Sequence, residues 1–116
     1  MKVKSIRDKF YSILGLCQKA GKLISGSTQC EKVIRAKKAA LVIISSEASK
    51  ATADKFHYLC KSHNIRILTI GTKKELGHAI GKGSRTLVTV LDSGFSEILL
   101  KEYKQIQHGG DQLWQK

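Results

Sequence analysis

The chain has 116 residues, of which 41% are hydrophobic, enough for one core and one domain. Its 21 Lys and Arg face 9 Asp and Glu, a net charge of +12 that draws polyanions such as RNA, DNA or an anionic membrane. No apolar run approaches the ~18 residues of a membrane span, and no apolar stretch follows the basic start MKVKSIRDKF, so neither a spanning helix nor a secretory signal is read and a cytoplasmic protein is expected.

Proline is absent, so glycines and caps must mark the helix ends. Residues 4–20 carry Ile6, Phe10, Ile13, Leu14 and Cys17 on one helical stripe, closed by Ala20 and Gly21. Lys22 to Ser25 reads as a short extended piece. A second helix over 28–38 turns Cys30, Val33 and Ile34 inward, and TQCE at its start has the spacing of a capping box. AALVIIS is a buried strand.

Ser49 caps a third helix with Phe56, Leu59, Cys60 and His63 on one side, and Asn64 is its left-handed terminator. IRILTIG is a second core strand. TKKE, Thr72 to Glu75, is a second capping box, opening a helix with Leu76, Ala79 and Ile80 that Gly81 stops. RTLVTVLD is a third core strand, and a last helix runs from Ser93 through Ile106. Residues 108–116, HGGDQLWQK, show no periodicity and are expected to be a flexible tail after a single domain at 1–107. Strands that alternate with helices predict an α/β/α sandwich with parallel pairing.

Catalytic chemistry finds little support. Cys60 stands three residues from both His57 and His63, which permits a Cys–His pair, but no nearby acid completes a triad. Cys17, Cys30 and Cys60 form no CxxC and sit on apolar stripes, as buried thiols do. The acids are scattered, with no carboxylate cluster for a hard cation. The chain is read as non-enzymatic, with no cofactor, metal or small-molecule substrate. GHAIGKGSR fails as a phosphate loop, because its glycine spacing is wrong and a helix precedes it where a strand should. It reads as a helix C-cap and tight turn. Lys82 and Arg85, with Gly83 and Ser84 between them, still suit phosphate contacts on an exposed loop.

ISGSTQCEKVIRAKK, residues 24–38, carries the clearest signal. Thr28, Lys32 and Arg35 follow offsets of four and seven, a stripe distinct from the apolar one, with Gln29 at its edge. A helix start offers free backbone N–H groups to an anion, and Gly26, followed by Ser27, lets a nucleic-acid backbone come close. Such a surface fits a distorted RNA groove better than a regular A-form one.

Here the chain resembles the YlxQ-type bacterial branch of the ribosomal protein L7Ae/L30e superfamily, the kink-turn RNA binders. The resemblance rests on ILGLCQKAGKLISG, KAALVIISSEAS, GTKKELGHAIGK and VLDSGF, between about Tyr11 and Leu100. It implies a three-layer α/β/α sandwich around a small four-stranded mixed sheet, with an added short strand near Leu23. It also implies RNA binding without catalysis. Kink-turn binders carry Gly-x-Asn-Glu-x-x-Lys at this helix start and dock it on tandem sheared G·A pairs. By position, Gly26, Thr28, Gln29 and Lys32 fill those places, so the glycine and lysine are kept and the other two differ. A second family contact region corresponds to GKGSR, Lys82 to Arg85 in its basic part, apolar in kink-turn binders and basic here. Ser46 and Glu47 border the same surface and either touch an extruded base or form a helix entry.

The expected partner is a structured RNA, kink-turn-like or ribosomal, met by a monomer with no membrane role. The interface expected is Gly26, Ser27, Thr28, Gln29, Lys32, Arg35, Glu47, Lys82, Gly83, Ser84 and Arg85. The alternative is a protein-interaction module on the same fold, with Trp114 as its anchor.

Overall fold

A computed structural model describes residues 6–114, and the side chains of residues 7–107. In chain order the elements are α1 (Ile6–Lys19), β1 (Leu23–Ser25), α2 (Ser27–Arg35), β2 (Leu41–Ile44), α3 (Lys50–Ser62), β3 (Ile67–Thr69), α4 (Lys73–Ala79), β4 (Leu87–Val90) and α5 (Ser93–Trp114).

The apolar periodicities translate into three layers. Leu41, Ile43, Leu68, Val88 and Val90 point to one side of the sheet and pack against Phe10, Leu14 and Cys17 of α1, Leu76 of α4 and Leu99 of α5. Val42, Ile44 and Leu87 point to the other side, against Cys30 and Ile34 of α2 and Phe56, Leu59 and Cys60 of α3. The two-residue alternation of each strand therefore feeds two cores, and both central strands are buried at every residue.

The four-stranded sheet has the order β1-β4-β2-β3. β2 and β3 run parallel, Val42 opposite Ile67. β4 lies antiparallel to both neighbours, with Leu23 opposite Val90 on one side and Ile44 opposite Leu87 on the other. This corrects the parallel pairing expected from alternation and agrees with the mixed sheet that the family resemblance implies.

The reversal of β4 has a local cause. After α4 the chain does not enter the sheet from the end at which the helix stops. It climbs back along α4, with Lys82 N–H donating to Gly77 O at 2.8 Å and Arg85 N–H to Lys73 O at 2.9 Å. Gly77 makes this possible, because a Cβ there would collide with the carbonyl of Gly83. The loop so delivers β4 to the end of the sheet where β1, β2 and β3 finish.

Helix ends follow their predicted chemistry in most places. Ser49 Oγ accepts from Thr52 N–H at 3.2 Å. Thr72 and Glu75 form a full capping box. Asn64 is left-handed, with φ of 56°. The capping box expected at Thr28 and Glu31 is absent: Gly26 is the N-cap of α2, so Thr28 lies inside the helix. α5 continues to Trp114, past the helix end expected near Ile106. The side chains of 108–116, and with them the expected Trp114 anchor, lie outside the described residues. Among the described residues no helix is long and apolar enough to cross a membrane.

Two outcomes follow from this packing. Gly77→Ala gains about 1 kcal/mol of helix propensity, but the steric conflict with the loop backbone costs about 1–3 kcal/mol and loosens two hydrogen bonds. Net destabilisation in urea unfolding is expected, with NMR shift changes concentrated at residues 82–86. Burial raises the thiols of Cys17, Cys30 and Cys60 from an ordinary 9.0 to about 11. A raised folded-state value favours the fold below the unfolded value and loses that contribution as pH rises through the folded one. Stability measured by urea midpoint should thus decline between about pH 9 and about pH 11. At pH 8 a disulfide reagent should modify the thiols only as fast as the chain opens.

Candidate nucleic-acid interface

Three strands end where β4 begins, and α2, α3 and α4 all start there. Three helix N-termini therefore gather at one end of the molecule, each with backbone N–H groups that its own helix leaves free. Two are closed from within. Ser49 caps α3, and the Thr72–Glu75 box caps α4. α2 differs: its N-cap is Gly26, there is no side-chain cap and its first turn holds no acid. Gly26 has φ of 97°, a conformation that side chains rarely adopt, and open space where a Cβ would stand.

The α4–β4 loop is fastened beside this open helix start. Gly26 N–H donates to Leu87 O at 3.0 Å. Arg85 reaches across with its Nε to Ser25 Oγ at 3.1 Å, while its Nη1 donates to Ser84 O at 2.9 Å. Arg85 is thus half-buried and directed, a clamp between loop and β1. Gly83 and Ser84 are exposed. Lys82 stands further down α4, where it lines a groove of about 630 Å³ with Lys74, Glu75, His78, Gly83 and Ser84.

The residues expected from sequence at the helix start are on the surface: Ser27, Thr28, Gln29, Lys32 and Arg35 are all exposed. Lys32 makes no ion pair among the described residues. Arg35 Nε is paired with Glu31 at 2.9 Å, so its charge is partly answered within α2. Glu31 also receives Lys55 of α3 at 2.8 Å. Those two partners, Lys55 before Arg35, hold its carboxyl below the usual range.

Glu47 reaches across to the start of α4. Its Oε1 accepts from Lys73 N–H at 2.9 Å, at the first residue of α4. Ser46 Oγ donates to Gly71 O at 2.9 Å, and Ser45 Oγ to the same oxygen at 3.1 Å, joining the ends of β2 and β3. Glu75 accepts from Thr72 N–H at 3.0 Å and from Tyr11 Oη at 3.1 Å. Its acidity is strengthened first by the Thr72 backbone bond, and burial beside it pushes the Tyr11 phenol up to about 12. The carboxylates at this end are turned to backbone and neighbours while Lys32, Lys73, Lys74 and Lys82 face solvent.

Two residues that sequence reasoning passed over carry this geometry. Ser25 receives Arg85, and nothing in its local pattern marks it. Gly77 did leave a signal: a glycine inside a helical run costs about 1 kcal/mol against alanine and needs a packing reason. No group of three or more His, Cys, Asp or Glu is placed to hold a metal ion among the described residues.

Comparison with known proteins places this geometry in context. The model of the family described as "Ribosomal protein L7Ae/L30e/S12e/Gadd45" matches residues 8–100. The RNA-binding protein YlxQ of Bacillus subtilis is 34% identical over 92 residues, covering 79% of this chain and 92% of that protein. The large ribosomal subunit protein eL30 of Tetrahymena thermophila is 34% identical over 101 residues, 85% of this chain and 97% of that one. A solved structure of a Bacillus halodurans protein of unknown function superposes with a TM-score of 0.79 at 37% identity, over 81% of this chain and 95% of that chain.

Proposed function

The chain belongs to the ribosomal protein L7Ae/L30e/S12e/Gadd45 family, and on that premise we propose that it is a non-catalytic, structured-RNA-binding protein of the ribosome or another ribonucleoprotein, acting in the cytoplasm as a monomer. The observation that carries the reading is the fastening of an uncapped helix start to a basic loop. Gly26 and Leu87 share a hydrogen bond, and Arg85 bridges to Ser25. Free N–H groups of α2 and the cations around them converge on one anionic ligand. The relatives named YlxQ and eL30 support RNA as that ligand and the ribosome as its setting.

Within this interface the roles divide. Lys32, Arg35 and Lys82 meet phosphates. Gly26 and Ser27 allow the backbone of the RNA to approach, with Gly83 and Ser84 doing the same from the loop. Thr28 and Gln29 meet base edges. Arg85 and Glu47 hold the two halves in register from behind, Arg85 through Ser25 and Glu47 through the start of α4. The preferred RNA motif is a kink-turn or a relative of it, because tandem sheared G·A pairs offer the widened, bent groove that a helix start can enter. Gln29 presents a neutral carbonyl where kink-turn binders present a carboxylate, so its bond to guanine N–H groups is weaker than a charge-assisted one.

Titration against a kink-turn RNA and a plain duplex of equal length tests the reading. Tighter binding to the kink-turn is expected, and equal affinity with identical salt slopes would remove the specific form of it. Lys32→Ala should weaken binding and reduce the magnitude of the salt slope by about one unit. Gln29→Glu should tighten the kink-turn complex about fivefold, the gain of about 1 kcal/mol from a charged over a neutral acceptor. The duplex complex should not tighten.

A further inference from the structure

We propose that the outward face of α2 and α3 is a second RNA contact, a track for an unpaired strand leaving the helix-start interface, with Tyr58 as its base-stacking platform. The inference rests on the RNA-binding reading above.

Tyr58 is the most exposed large hydrophobic side chain among the described residues, at 72%. No hydrogen bond, ion pair or ring contact involves it among those residues. An aromatic ring left this open on a helix contributes little to folding, and a strand with exposed bases is a partner that fits both its face and its surroundings. Around it α3 presents Lys55 one turn before and Lys61 one turn after, both exposed.

Charge sorts this surface in one direction. Its acids are already answered: Glu31 by Lys55 at 2.8 Å and Arg35 at 2.9 Å, and Asp54 by Lys50 at 2.9 Å. Lys32 and Lys61 are left with no ion pair among the described residues. Aromatic and cation interleave as in single-strand binding surfaces, where the ring takes the base and lysines follow the phosphates.

Continuity with the interface comes from the Glu31–Lys55 bridge, which ties α3 to α2. Both helices start at the same end of the sheet, so the stripe Thr28, Lys32, Arg35 and the stripe Lys55, Tyr58, Ser62 descend side by side from the proposed site. α3 has 13 residues, a length of about 20 Å. An unpaired tail of about six nucleotides covers that span.

The test compares the minimal kink-turn RNA with the same RNA carrying a six-nucleotide unpaired extension at either strand end, read by fluorescence anisotropy. One extension should tighten binding about tenfold. Tyr58→Ala should abolish that gain and leave the minimal RNA unaffected, with the circular dichroism spectrum unchanged. Tyr58→Phe should keep it. Lys61→Gln should lower the salt slope by about one unit for the extended RNA alone.

If neither extension tightens binding, or the gain survives Tyr58→Ala, the track does not exist while the helix-start interface stands. If the wild-type chain binds no RNA, minimal or extended, both proposals fall. If a polyglutamate peptide binds the wild type but not Tyr58→Ala, and no extension helps, the face serves a protein partner and the RNA track is overturned.

Discussion

The approach of the α4–β4 loop to the backbone of α4 at Gly77 governs the geometry of this molecule. With no Cβ in the way, residues 82–85 retrace the helix and hydrogen-bond to it at both ends of the climb. β4 then enters the sheet from the same end as the exits of its neighbours, and it must run antiparallel to them. Were the loop forced off α4, it would not meet the start of α2, and Arg85 could not reach Ser25. The position of the basic loop and the direction of the central strand are one fact seen twice.

Local hydrogen bonding then decides the electrostatics of that end. A net charge of +12 says only that the chain favours anions. The structure aims the charge. Glu47 and Glu75 are drawn onto the start of α4, and Glu31 is held between two cations. Their neighbours Lys73, Lys74, Lys32 and Lys82 face outward. Of the three helix starts assembled there, α2 alone lacks a side-chain cap, so its dipole and N–H groups face the surroundings. The same economy shapes the α2–α3 face, where ion pairs absorb the acids and leave lysine and tyrosine outward.

Scaffold and surface chemistry separate cleanly in this chain. The scaffold is the order of elements and the mixed sheet, with Gly26 before α2. The chemistry carried on it is a hydroxyl and a neutral amide at positions 28 and 29, and a basic loop whose arginine is directed inward. In the RNA-binding reading proposed above, the neutral amide weakens a charged reading of base edges and the cations favour phosphates. The proposed track over the exposed Tyr58 would extend such contacts along the strand.

Periodicity, composition and capping rules determined a good deal by themselves. They specified the buried stripes of α1, α3 and α4, the apolar strands β2 and β4, and the caps at Ser49, Asn64 and Thr72, because each depends on residues within one or two turns of each other. They also marked the exposed row Thr28, Lys32 and Arg35. They misjudged the cap of α2, since TQCE has the spacing of a capping box but Gly26 had already begun the helix. The tertiary structure alone decided the direction of β4, the bond of Arg85 to a residue 60 positions away, and the recruitment of Glu47 by α4. Those outcomes turn on backbone approach and on partners distant in the chain, and a side chain's nearest sequence neighbours hold no record of either.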